Sequence, residues 1–190
     1  LYPPRVQCKI GEIGLVCGDD EYFYLPFEVL EGVVDFCSIQ YSDAAKAVGF
    51  TDEEIIPETD MLELTLPQTT PPIPIDEYSF DLIIEDLSYD EPQTENVRFT
   101  LSYPSSIIAQ KWNDVLAIYN EDYNGYNDNF DQFLWYKNDQ AMTNETNAYI
   151  YLGEGNVFGG SDTYYVELRR VSDGKVFRTC PITPKATPNN

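Results

Sequence analysis

Residues 164–182 read YYVELRRV-SDG-KVFRTCPI. Two runs rich in Tyr, Val and Phe enclose Ser172-Asp173-Gly174. An Asp-Gly step between two such runs is the strongest short-range hairpin signal a chain can carry, because Gly accepts the left-handed backbone that a tight turn needs. The end of the chain is therefore antiparallel β-structure, and the same style extends outward from it. Residues 148–152 (AYIYL) alternate Tyr149 and Tyr151 against Ile150, and a Gly-rich turn follows over 153–160. Residues 130–137 (FDQFLWYK) form a strand with Trp135 near its middle, closed by an Asn138-Asp139 turn. Residues 107–119 read as two strands broken at Asn113-Asp114.

The first half is built the same way. Residues 97–103 alternate Val97, Phe99, Leu101 and Tyr103 against Arg98, Thr100 and Ser102, and stop at Pro104. Residues 78–87 place Tyr78, Phe80, Leu82 and Ile84 on one face. Residues 61–66 alternate cleanly, residues 33–41 place Cys37, Ile39 and Tyr41 together, and residues 21–30 form an apolar, aromatic strand. The Pro-rich stretch 68–74 is excluded from a central strand. Residues 43–50 make one short helix, capped by Ser42 or Asp43 and closed by Gly49. Each half holds about seven strands in roughly 100 residues, the count of an immunoglobulin-like or fibronectin-like sandwich. The expected fold is all-β, with two consecutive sandwich domains over residues 1–96 and 97–190.

Charge sets the halves apart. The chain of 190 residues carries 11 Lys and Arg, 33 Asp and Glu and no His, for a net charge of −22. Residues 1–96 hold 22 acids and 3 bases, whereas residues 97–190 hold 11 and 8. Nucleic acid is not an expected partner, since phosphate binding needs clustered Lys and Arg. Without His, Ser-His-Asp and Cys-His catalysis and imidazole zinc sites are excluded. No stretch reaches the roughly 20 apolar residues of a membrane-spanning helix. No leader segment is visible at Leu1, and the chain opens like an excised mature fragment.

Several motifs resemble Bacteroidetes cell-surface proteins built from immunoglobulin-like repeats. They are YPSSII at 103–108, QKWNDVLA at 110–117, NEDYNGY at 120–126, FLWYKN at 133–138 and TCP at 179–181. CGDD at 17–20 and AAKAVGF at 44–50 look like an earlier repeat of the same proteins. The likeness covers nearly the whole chain. It implies an exported protein, at the cell surface or in the periplasm, with tandem β-sandwiches and no established activity. The family carries fewer acids around NEDYNGY, so no site there is transferred from it.

Four candidate sites remain. Residues 120–131 (NEDYNGYNDNFD) put oxygen-bearing side chains at calcium-loop spacing, with Asn120, Asp122, Asn124, Asp128 and Asp131 as ligands and Gly125 at the sharp turn. A polar loop around an Asn-Gly turn accounts for the same residues. Tyr123, Tyr126 and Tyr136, near Asn120, Asn124 and Asn127, form a candidate contact patch for a glycan or a surface protein. Cys8 and Cys17 are spaced for a small disulfide loop, while Cys37 and Cys180 read as buried free thiols. Trp135 resembles the core tryptophan of immunoglobulin folds, and Tyr164 or Tyr165 is placed for a tyrosine corner. The glycines at 153–160 lack the Lys-Ser/Thr of a phosphate loop. No catalytic residue and no obligatory cofactor are expected. The expected role is a non-catalytic structural or adhesive spacer or binding module. The alternative is a carbohydrate-binding module of a glycan-uptake system, aided by calcium if the loop is real.

Overall fold

A computed structural model describes residues 5–121 and 124–186. The chain divides into two units, Leu1–Leu101 and Ser102–Asn190. The division lies beyond Asn96, and pairing explains why. The strand through Asn96 and Val97 runs unbroken over Gln93–Ser102 and is hydrogen-bonded to its neighbour from Gln93 to Thr100. Cutting at Asn96 would split that ladder. With Arg98 assigned to the first unit, the units carry −18 and −4.

The first unit runs β1 (Gln7–Ile10), β2 (Val16–Cys17), β3 (Tyr22–Glu31), β4 (Phe36–Tyr41), α1 (Asp43–Ala47), β5 (Glu53–Ile55), β6 (Met61–Thr65), β7 (Glu77–Glu85) and β8 (Gln93–Ser102). One sheet has the order β1-β3-β6 and the other β2-β8-β7-β4-β5. The chain changes sheet on entering and leaving β2, between β3 and β4, between β5 and β6 and between β6 and β7, which is the Greek-key connectivity of an immunoglobulin-like sandwich. The sheets face each other through Phe23 of β3, stacked on Phe99 of β8 with ring centroids 4.6 Å apart. Leu25, Ile39, Leu64, Leu82 and Leu101 are fully buried between them. Each such side chain contributes about 1.5–3 kcal/mol by leaving water. Tyr78 is the second residue of β7, and its hydroxyl donates to the Pro74 carbonyl at 2.8 Å. That bond, four residues upstream, is the tyrosine-corner contact. Helix α1 is capped by Ser42, whose hydroxyl accepts from the Ala45 N–H at 3.3 Å.

The second unit runs through a short 3-10 turn (Ser105–Ile107), then β9 (Ile108–Lys111), β10 (Val115–Ile118), β11 (Phe130–Lys137), β12 (Gln140–Ala141), β13 (Tyr149–Tyr151), β14 (Tyr164–Arg170) and β15 (Val176–Arg178). Its sheets have the orders β13-β10-β9 and β12-β11-β14-β15. Tyr103 bridges Thr179 in parallel at the edge of the second. The connectivity of β10 to β15 repeats that of β3 to β8 in the first unit. Trp135 of β11 is fully buried, and its indole N–H donates to the Asn147 carbonyl at 2.9 Å. At the Ser172-Asp173-Gly174 turn, the Gly174 N–H donates to the Arg170 carbonyl and Gly174 takes a φ of 72°. The Asp-Gly signal is thus met by the residue that needs the left-handed region.

Candidate functional site

The loop 120–131 is held by its own residues. The Asn124 side-chain amide donates to the Asp128 carbonyl at 2.7 Å and its oxygen accepts from the Tyr126 N–H. The Asp128 carboxylate accepts the Tyr103 hydroxyl at 2.6 Å and lies 3.8 Å from the Arg170 guanidinium. Asp131 takes a two-point bond from Arg169, at 2.8 and 2.6 Å. The Asn129 amide donates to Glu121. Asn120 is exposed at the start of the loop, and Asp122 and Tyr123 lie outside the described residues. Of the five expected calcium-loop ligands, Asn124, Asp128 and Asp131 are engaged by protein groups. Two of the three carboxylates among the five face arginines, which supply the positive charge that a cation would bring.

Electrostatics follow those pairs. Hydrogen bonding to Arg169 holds the Asp131 carboxyl below the usual range. Arg170, only 8% exposed at its side chain, binds Asp173 at 2.6 Å and holds its pKa down to about 2. Arg170 also covers the Phe177 ring at 4.7 Å. Burial, reinforced by Asp128, pushes the Tyr103 phenol upward. Among the described carboxyls with a resolved shift, Glu53 alone is raised, by burial beside Tyr41 and Thr65. No cleft surrounds it among the described pockets.

Of the predicted tyrosine patch, Tyr126 and Tyr136 pack against other rings of the fold. Tyr126 is half-buried and meets Tyr103 edge-on at 5.3 Å. Tyr136 stacks on Tyr165 at 4.5 Å and donates its hydroxyl to Glu167 at 3.0 Å. Arg178 lies over the far ring, 3.7 Å from the Tyr165 centroid.

The cysteines also depart from expectation. Cys8 and Cys37 are free thiols, so the Cys8–Cys17 loop is not closed. Cys17 and Cys180 are in disulfide form, which corrects the reading of Cys180 as a free thiol. Cys37 is fully buried, and desolvation pushes its pKa to about 12. Cys17, Asp19 and Asp20 lie close enough together to suggest a metal site. With its sulfur oxidised, Cys17 offers no thiolate ligand.

The exposed aromatic groups lie elsewhere. Tyr149 and Tyr151 point outward from β13, opposite Ala117 and Val115 of β10. Trp112 is 73% exposed at the β9–β10 turn with a φ of 55°. A bulky residue at positive φ is strained and persists only where its surroundings hold it. Here the Gln110 amide donates to the Trp112 carbonyl at 3.1 Å, and the Phe158 and Leu152 N–H groups bind the carbonyls of Asn113 and Asp114. In the first unit Tyr22 and Tyr24 point outward from β3, beside a cleft of about 660 Å³. Sequence parity left these tyrosines unresolved because Phe23, Leu25 and Ile150, on the opposite faces, are as apolar as they are.

No helix among the described residues is long and apolar enough to cross a membrane. No family model matches the chain. No curated protein matches it. Among solved structures, one titled "Biofilm associated protein - BSP domain" aligns with 93% of this chain at 11% identity and a TM-score of 0.31. The alignment spans 29% of that protein's length.

Proposed function

We propose that the chain is a non-catalytic module of an exported bacterial surface protein of the kind its sequence resembles, acting as an adhesive spacer. The observation that carries this reading is the ordered exposure of large aromatic groups on the outer faces of two filled sandwiches. Trp112, Tyr149 and Tyr151 stand on the second unit, and Tyr22 and Tyr24 on the first. Exposed aromatic anchors on a rigid scaffold are the usual material of contact surfaces. The perturbed acids, in contrast, are explained within the fold, by arginine or lysine partners for Asp131, Asp162 and Asp173 and by burial for Glu53. The absence of His from the sequence further supports a binding role.

A second reading, a carbohydrate-binding module, is favoured by Trp112 with Tyr149 and Tyr151 on one sheet and its turn. Flat, exposed rings suit stacking against sugar rings. A glycan array tests both readings. Retention of a glycan by the native chain, lost in Trp112→Ala and in Tyr149→Ala/Tyr151→Ala, selects the carbohydrate reading. Silence on the array, together with retention on a bacterial or host cell surface that the same variants lose, selects the protein-adhesive one. Unchanged retention in all variants overturns the role of this face.

A further inference from the structure

The cleft on the first unit joins exposed tyrosine rings, apolar side chains and acidic groups. After β1 the chain leaves one sheet for the other, and residues 11–15 cross beside the outer face of β3. Gly11 makes the close approach possible, since a Cβ there would lie 2.6 Å from the Pro26 side chain, and its N–H donates to the Pro26 carbonyl at 2.9 Å. The cleft opens between this crossing segment and the outer face, with Tyr22, Tyr24, Pro26 and Met61 on the strand side. The tyrosines stand two residues apart on one strand, roughly 7 Å by strand geometry. Tyr24 is oriented by its hydroxyl bond to Glu63 at 3.1 Å.

The walls carry one sign of charge. Glu12, Asp20 and Glu21 line the cleft, and no Lys or Arg is among its lining residues. The rim is fixed by bonds to its backbone carbonyls: the Gln68 side-chain amide donates to that of Asp20 and the Leu66 N–H to that of Glu21. The enclosing unit carries −18. Elsewhere in this chain, tyrosine faces are occupied by cations. Arg178 covers Tyr165, Lys137 covers Tyr164, Arg5 covers Tyr89 and Lys111 covers Tyr119. Among the described residues no cation covers Tyr22 or Tyr24, each nearly half exposed.

We infer that this cleft docks a lysine- or arginine-bearing segment of a partner protein, its cationic head between the tyrosine faces and the carboxylates and its aliphatic stem on Leu15 and Met61. Ring faces attract such a head through their quadrupole, and the long stem covers apolar surface while the charge stays near acid. This inference deepens the adhesive reading and rests on it for the identity of the occupant as a protein.

The test is a titration of the isotope-labelled full chain with a hexalysine peptide, followed by NMR at low and at physiological salt. Saturable shifts centred on Tyr22, Tyr24 and Met61 are expected. Tyr22→Ala/Tyr24→Ala should weaken binding about tenfold without changing net charge, by loss of two cation–ring contacts. Tyr22→Phe/Tyr24→Phe should retain it and serves as the control for folding. Glu54→Gln/Glu58→Gln, which removes two negative charges away from the cleft, should change affinity less than about twofold, as expected for screened remote charges. Shifts spread over the acidic surface, or equal losses in the remote and tyrosine variants, would overturn the cleft as a site. Failure to bind hexalysine would also overturn it, while leaving the adhesive reading to stand or fall on Trp112, Tyr149 and Tyr151.

Discussion

Asp173 shows how one residue serves two levels of structure. Its carboxylate accepts from the Lys175 N–H within the turn and binds the guanidinium of Arg170 on the strand before it. Arg170 holds the Asp173 pKa down to about 2 from an ordinary 3.8. A depressed carboxyl contributes stability that is present above its unfolded value and lost as pH falls through the folded one. The melting temperature should therefore drop between about pH 4 and pH 2, as protonation removes the Arg170 partner. Asp173→Asn should lower the neutral-pH value and flatten the acid slope, measured by thermal melts across that range. Glu53, raised by burial, works in the opposite direction and above this window: stability is gained as pH falls toward its ordinary 4.5, before the drop begins. The thiols give a second outcome at this scale. Under native conditions an alkylating reagent should leave Cys37 unmodified, because it is fully buried and its thiolate is disfavoured. After unfolding without reductant, intact mass should rise by two labels, on Cys8 and Cys37. Labelling of Cys180 in that experiment would refute its disulfide form.

Alternation made most strands readable, since Phe80, Leu82 and Ile84 of β7 or Cys37 and Ile39 of β4 can only face a core. The short strands β2, β5 and β12 escaped notice because two or three residues leave no period to detect. They exist through pairing: β5 through its register with Cys37, Ser38 and Ile39 of β4, and β12 as the return of a tight turn from β11. That turn places Asn138 and Asp139 both at positive φ, which Asn and Asp tolerate better than most residues. Strand β11 carries the most exacting single side chain. Truncating Trp135 to Ala empties a large buried volume and orphans the Asn147 carbonyl, so it should destabilise the second unit by about 3–5 kcal/mol. Urea denaturation followed at the remaining tryptophan, Trp112, measures it, and a loss below 1 kcal/mol would place Trp135 outside the core.

Charge acts on the whole chain. The first unit has few cations to set against its acids, and its ion pairs join exposed groups: Arg5 with Glu91, Lys46 with Asp52 and Arg98 with Glu77. Such exposed pairs contribute little. Self-repulsion among the remaining carboxylates is the larger effect, and salt screens it. Raising sodium chloride from low to physiological concentration should raise the melting temperature by a few degrees, an amount that corresponds to about 1 kcal/mol for a domain of this size. Calorimetry at neutral pH measures it. A fall in melting temperature would mean that attractive pairs outweigh the repulsion.

Composition and period carried the all-β character, the two-part organisation and the acidity of the first part, because each depends on residue type and spacing along the chain alone. The candidate sites could not be read that way. Asp128 and Asp131 looked like calcium ligands until Arg170 and Arg169, about forty residues away in sequence, arrived beside them through antiparallel pairing. Tyr126 and Tyr136 looked free until Tyr103 and Tyr165 covered them. The exposed rings of Tyr22, Tyr24, Trp112, Tyr149 and Tyr151 emerged only with the assembled sheets. A side chain's neighbours across a sandwich come from distant segments, and it is these neighbours that determine whether a carboxylate or a ring is left available to a partner.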